Sequence, residues 1–302
     1  MDRRQHRRAG RTVVAVGIMG ITAGLGAAVT GCSGSGAAAE GVNGPVGDPV
    51  TVLHGAADTL RDAGSSKVST SMEMATGGTR VTIRGRGVYD YRRRLGHLTV
   101  VLPEDPTGAS QHRPITELLT PGALFMKNRG AGVPADKWVR VETAALSDGN
   151  LVTGGATDPS TAAEVLRGTR TATYLGTTEV GGTGVRHYRG TADLSVAARG
   201  APADVRACLE AAARGFATAQ VPFDAYLDDQ GRVRKLRQRF SFVNGRQKTP
   251  VAVASTTLLY GFGAPVDVLL PRSRDIYAGW IAEDDDQGGD KGADKGRREG
   301  GN

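Results

Sequence analysis

From Val68 onwards, apolar residues recur at every second position in one stretch after another. A period of two puts successive side chains on opposite faces of a strand, and many such runs in one chain demand a sheet with one face buried and one wet. Val68, Thr70, Met72 and Met74 share a face, with Ser69, Ser71 and Glu73 on the other. Past Gly77-Gly78, Val81, Ile83, Tyr89 and Tyr91 alternate with Arg80, Thr82, Arg84 and Arg86, and Leu98, Val100 and Leu102 continue the pattern. A polar loop over 103–113 separates these from short strands at 123–127 and 137–142. Strands return at 171–180 and 185–194 around Gly181-Gly182, and again at 221–228, 232–243 and 250–262. Asp229-Gln230-Gly231 and Asn244-Gly245 are turn signals between the last three.

Helical spacing interrupts this pattern at three places. Val52, Leu53, Ala56, Ala57 and Leu60 line one face of a helix over 50–61, closed by Gly64. Asp158 as N-cap and Pro159 at the first helical position start a second helix, ending near Gly168. A third spans 201–219, with Val205, Cys208, Leu209, Ala212 and Phe216 on one stripe. The sum is an α+β fold, a meander of eight to eleven antiparallel strands with two or three helices. A strand set this long must curl or be covered, and helices over its apolar face leave either a core or a cavity.

The chain's two ends are of another kind. Arg3, Arg4, Arg7, Arg8 and Arg11 precede a nearly uncharged run over 12–30, the layout of a secretory signal. The run ends in Val29-Thr30-Gly31-Cys32, which resembles the lipobox of bacterial lipoproteins, so Cys32 is the expected lipidation site and the membrane the first expected partner. Four glycines within the run argue against a plain transmembrane anchor. Arg7-Arg8 lacks the apolar pair of a twin-arginine signal, which leaves the export route open. The expected organisation is a signal peptide at 1–31, a flexible stalk at 32–49, one domain at 50–282 and a charged, disordered tail at 283–302.

Of the formal charge of +7, residues 1–31 supply five Arg and one Asp. The remaining cations are interspersed with carboxylates and lack interleaved aromatics, which excludes nucleic acid as a partner. With Cys32 lipidated, Cys208 has no disulfide partner and reads as a buried, inert thiol. The chain lacks the metalloprotease, dithiol, nucleophile-elbow and Walker patterns, and its five histidines show no ligand spacing. His187 sits mid-strand in a structural position, and the run 224–231 fails as a calcium loop. No enzyme, metal or cofactor is expected. Arg232, Arg234, Lys235, Arg237 and Arg239 make one strand basic, either as a solvated face or as a contact for anionic head groups.

Several phrases, in order behind a lipobox, carry a family resemblance. They are Lys137-Trp138-Val139, Leu175-Gly176-Thr177-Thr178-Glu179-Val180-Gly181-Gly182, Val185-Arg186-His187-Tyr188-Arg189-Gly190, Phe223-Asp224-Ala225-Tyr226-Leu227-Asp228, and Tyr260-Gly261-Phe262-Gly263. Their order is similar to the mycobacterial LppX and LprG lipoproteins and their actinobacterial relatives, which share a LolA-like architecture. The resemblance covers roughly 50–275. It implies a strongly curved antiparallel sheet, a half-barrel, with helices covering the concave face. It also implies a hydrophobic cavity that takes acyl chains of envelope lipids or glycolipids. Wall candidates at inward strand positions are Met72, Met74, Val81, Ile83, Leu98, Val100, Phe125, Tyr188, Leu236 and Phe240, with core packing the plainer reading of each taken singly. The expected function is a membrane-anchored lipid-binding or lipid-carrying lipoprotein. Its rivals are a cavity-less sensor or interaction lipoprotein that engages an envelope protein, and, more remotely, a hydrolase whose site has no recognisable motif.

Overall fold

The computed structural model describes residues 47–103, 113–130, 132–243 and 250–278. The signal, Cys32, most of the stalk, the Asn244-Gly245 turn and the charged tail lie outside them.

Two short helices open the domain, α1 Pro49–His54 and α2 Ala56–Ala63. The continuous helix expected at 50–61 is broken at Gly55, although Leu53, Ala56, Ala57 and Leu60 are all buried as its periodicity implied. Asp48 caps the first turn by accepting from the amide of Thr51 at 2.9 Å. Gly64 ends the second helix at φ 83°, a left-handed conformation in which glycine avoids a Cβ clash.

Strands β1 Ser65–Thr76, β2 Thr79–Asp90 and β3 Leu95–Val101 follow as hairpins, then β4 Ile115–Thr120, β5 Ala123–Lys127 and β6 Trp138–Glu142. The chain next crosses the sheet with a 3-10 turn at Thr143–Ala145, helix α3 Pro159–Glu164 and a 3-10 turn at Val165–Gly168. Asp158 caps α3 by accepting from the amides of Ser160 and Thr161. Then come β7 Thr169–Val180, β8 Thr183–Asp193, α4 Leu194–Gly200, α5 Ala203–Gly215, β9 Gln220–Leu227, β10 Val233–Val243 and β11 Pro250–Tyr260.

All eleven strands join one antiparallel sheet in the order β6-β5-β4-β3-β2-β1-β11-β10-β9-β8-β7. The first and last strands therefore pair at the centre, and β6 and β7 are the edge strands, with Ile276 bridging β6 at Trp138. Laid flat, such a sheet would be ~48 Å wide at ~4.8 Å per strand. Yet residues from Val139 on one edge to Ala172 and Tyr174 on the other belong to one continuous core with the helices. The sheet therefore bends around its helices, with a helix-covered inner face and an outer face.

Two elements differ from the sequence expectation. Strand β4 alternates poorly: Ile115, Glu117 and Leu119 are buried inward, while outward Leu118, between half-buried Thr116 and Thr120, is buried with Ala123 and Phe125 beneath Val268 and Ile276. Lacking clean alternation, it carries no clear period-two signal. Residues 194–200 form a helix rather than extending a strand, because Asp193 accepts from the amide of Val196 at 3.0 Å and Leu194, Ala197 and Ala198 face the core. Among the described residues, no helix is long and apolar enough to cross a membrane.

Candidate functional site

The apolar cleft of the inner face lies where the crossing segment meets the central strands. Its volume is about 350 Å³. Met74 of β1, Ile83 of β2 and Phe242 of β10 form the sheet side, with Val152 and Phe216 opposite. Arg129, Ser147, Asp148 and Thr153 add polar groups.

The loop over 147–157 makes the second wall, and its shape is set by Asp148. That buried carboxylate accepts from the amides of Asn150 and Val152, at 3.0 and 2.9 Å, and from the amide and hydroxyl of Thr153. Thr157 ties the far end down, donating to the Leu151 carbonyl at 3.0 Å and hydrogen-bonding Ser255 of β11. Gly155, at φ 81°, lets the loop close on the sheet, since a Cβ there would sit 3.2 Å from Ile83 and 3.3 Å from Val100. Phe216 stacks on Phe240 with ring centroids 4.9 Å apart, which seats the end of α5 against β10.

Behind the loop lies Glu117 of β4, fully buried, with neither carboxylate oxygen hydrogen-bonded. Burial pushes its pKa up to about 8, against a lesser opposing pull from Arg129. A Cβ on Gly154 would lie 3.1 to 3.4 Å from both Glu117 oxygens and the unpaired Oδ1 of Asn150, so a larger residue there would press on these acceptors.

The ten wall candidates separate into four groups. Met74 and Ile83 line the cleft. Met72, Leu98, Val100, Tyr188, Leu236 and Phe240 are packed within the core, Tyr188 against Tyr174 at 5.5 Å between centroids. Val81 lies near the β1–β2 turn in a separate trough of about 870 Å³ shared with Arg84, Val101 and Leu102. Phe125, expected on the inner wall, instead points outward, because its register opposite Leu118 places it in the cluster under Val268 and Ile276. Arg129, Asp148, Val152, Phe216 and Phe242 carried no sequence signal as a group, since the loop that assembles them is held by contacts distant in sequence.

The basic strand also divides. The register shifts between Val233 and Lys235, so Arg232 and Arg234 pair with buried Asp228 and stand over Phe262, with 4.4 and 5.4 Å to its centroid. Lys235 covers Tyr226 on the outer face, while Arg239 pairs with Asp224. His187 hydrogen-bonds Asp224 at 2.9 Å and stacks on Tyr226. Cys208 is buried beside the Thr143 hydroxyl at 3.2 Å, and burial pushes its thiol pKa up. Among the described residues, no group of three His, Cys, Asp or Glu could hold a metal ion.

Sheet order, edge strands and inner helices define an α+β open-sheet protein with an apolar cleft at the helix–sheet seam. It is similar to lipoprotein LppX of Mycobacterium tuberculosis at 10% identity, covering 72% of this chain and 97% of that one, with a TM-score of 0.40. LprF from Mycobacterium bovis is similar at 15% identity over 74% and 99%, with a TM-score of 0.38. A LolA superfamily protein from Nitrosomonas europaea follows at 10% identity over 70% and 94%, with a TM-score of 0.31. At such TM-scores the fold class rests on the strand order and registers themselves. No protein-family model matches the chain, and no curated protein matches it.

Proposed function

We propose that this chain is an envelope lipoprotein, tethered through lipidated Cys32 outside the cytoplasmic membrane, that shelters an acyl chain of an amphipathic lipid in the cleft between β1, β2, β10 and the 147–157 loop. The observation that carries this reading is the cleft itself. Its volume of about 350 Å³ is within the range of small-molecule sites, ~300–1,000 Å³, and apolar side chains from the sheet, the loop and the end of α5 face one another across it. Desolvation drives uptake at ~0.8 kcal/mol for each buried CH₂, with no covalent step and no cofactor. The polar head of the lipid stays beside Arg129 and Thr153, where charge and hydroxyl groups gather. Residues 1–31 act as the export signal, 32–49 as the tether, 50–282 as the carrier domain and 283–302 as a solvated tail.

Native mass spectrometry of the chain from Ser33 onwards, which keeps every described residue, tests the reading. A copurifying or exchangeable lipid, released by organic extraction and lost in Ile83→Trp without loss of folding, supports it. An apo mass that takes up none of the offered phospholipids overturns it and leaves a protein-partner function in its place.

A further inference from the structure

The outer face of the central sheet gathers cations that are scattered in sequence. Strand registers place Arg84, Ser71, Thr256, Arg237, Asp224 and Arg189 in one row across β2, β1, β11, β10, β9 and β8. The next row runs Arg86, Ser69, Leu258, Lys235, Tyr226 and His187. On the other side of the first row, Glu73 and Arg239 both face Ala254. The carboxylates within these rows are Glu73 and Asp224, and Asp224 is buried beneath Arg189 and Arg239 at 2.9 and 3.4 Å.

From this arrangement we infer that the outer face of β2, β1, β11 and β10 is a second membrane contact, docking on anionic phospholipid head groups. Charge complementarity and shape argue for that occupant. Arginines on β2 and cations on β10 form two rails ~14 Å apart, three strand spacings at ~4.8 Å each. Between them lie Ser69, Ser71, Ala254 and Thr256, which are short, together with Leu258 and the single carboxylate Glu73. A sheet bent around its helices meets a plane at its central strands, where these cations sit. The β2 rail borders the trough of about 870 Å³ and the β10 rail does not, so the two rails together spread charge across the face rather than converging on one pocket. Each Lys or Arg near an anionic leaflet adds affinity, and salt screens it.

Vesicle cosedimentation of the unlipidated chain from Ser33 tests this, with phosphatidylcholine vesicles against vesicles containing phosphatidylglycerol. Binding should require the anionic lipid and weaken as ionic strength rises through ~0.05 to ~0.5 M. The triple variant Arg84→Ser, Arg86→Ser, Arg237→Ser should bind about 100-fold more weakly with its circular dichroism melt unchanged. A control of equal charge change on the helical side, Arg199→Ser, Arg206→Ser, Arg214→Ser, should bind like the wild type. No preference for anionic vesicles, equal loss in both triple variants, or capture by a soluble polyanion without vesicle binding would each overturn the docking face. Ile83→Trp, which fills the inner cleft, should leave vesicle binding intact, so this test and the acyl-chain test fail independently.

Discussion

The Asp148 carboxylate accepts the backbone N–H of Val152 at 2.9 Å, and through that bond a polar group shapes an apolar wall. With Asn150 and Thr153 also bound to the same side chain, the loop is held open-mouthed over Met74 and Ile83. Asp148→Ala should lose about 2–4 kcal/mol of unfolding free energy, because several amides lose a charged acceptor at once. Denaturant melts measure the loss, and hydrogen exchange should show faster amides over 149–155. A variant that melts with the wild type and keeps its protection would refute this account of the loop.

Glu117 should make the protein less stable as pH rises through neutrality. Its folded pKa, near 8, lies above that of the unfolded chain, so the folded state binds the extra proton between roughly pH 4.5 and 8. That contribution is fully present below the unfolded pKa and is gone above the folded one, with a magnitude on the order of a few kcal/mol. Glu117→Gln should flatten this part of the stability profile and melt higher than the wild type at pH 8. A wild-type profile already flat from pH 5 to 8 would contradict it.

At the acidic end the dependence reverses. Asp58 is held near pKa 2, first by hydrogen bonds from Arg167 at 2.7 Å, so its stabilisation is present above the unfolded carboxylate pKa and is lost as pH falls toward 2. Half of its side chain is exposed, which limits the effect to about 1 kcal/mol or less. Melts of Asp58→Asn should differ from wild type at pH 6 and converge with it near pH 2. A difference that persists at pH 2 would assign Asp58 a role other than its ion pair.

Cys208 should resist thiol reagents in the native protein. It is 5% exposed, bonded to Thr143, and its thiol pKa is raised by burial, so the nucleophilic thiolate is scarce. Maleimide labelling should follow global unfolding with denaturant. Rapid native labelling would show that α5 detaches from the Thr143 turn.

Much of the architecture was legible in local pattern. Alternation at Val68–Met74 and at 250–262 marked central strands because one face is apolar and the other wet. Gly181-Gly182, with φ of 57° and 77°, made the β7–β8 turn where the sequence placed it. Asp158 and Pro159 marked a helix start for reasons confined to one turn of backbone. Strand β4 was not legible, since it buries Glu117 inward and turns Leu118 outward beneath Val268 and Ile276, some 150 residues along the chain, which blurs its alternation. Phe125 shares that outward face because it stands opposite Leu118 in the register of β4 and β5.

The order of residues by itself determined which side of the long central strands is apolar, where the turns at Gly77-Gly78, Gly181-Gly182 and Asp229-Gln230-Gly231 fall, and that the chain forms an antiparallel sheet with a few helices. Those properties depend on neighbours two to four positions away. Tertiary structure alone decided that Met74 and Ile83 border a cleft while Met72 and Val100 are core, that Glu117 stays buried without a partner, and that a register shift after Val233 divides one basic strand between Asp228 and the outer face. Each of those outcomes depends on which distant segment packs against a residue, and hydrophobic periodicity carries no record of that partner.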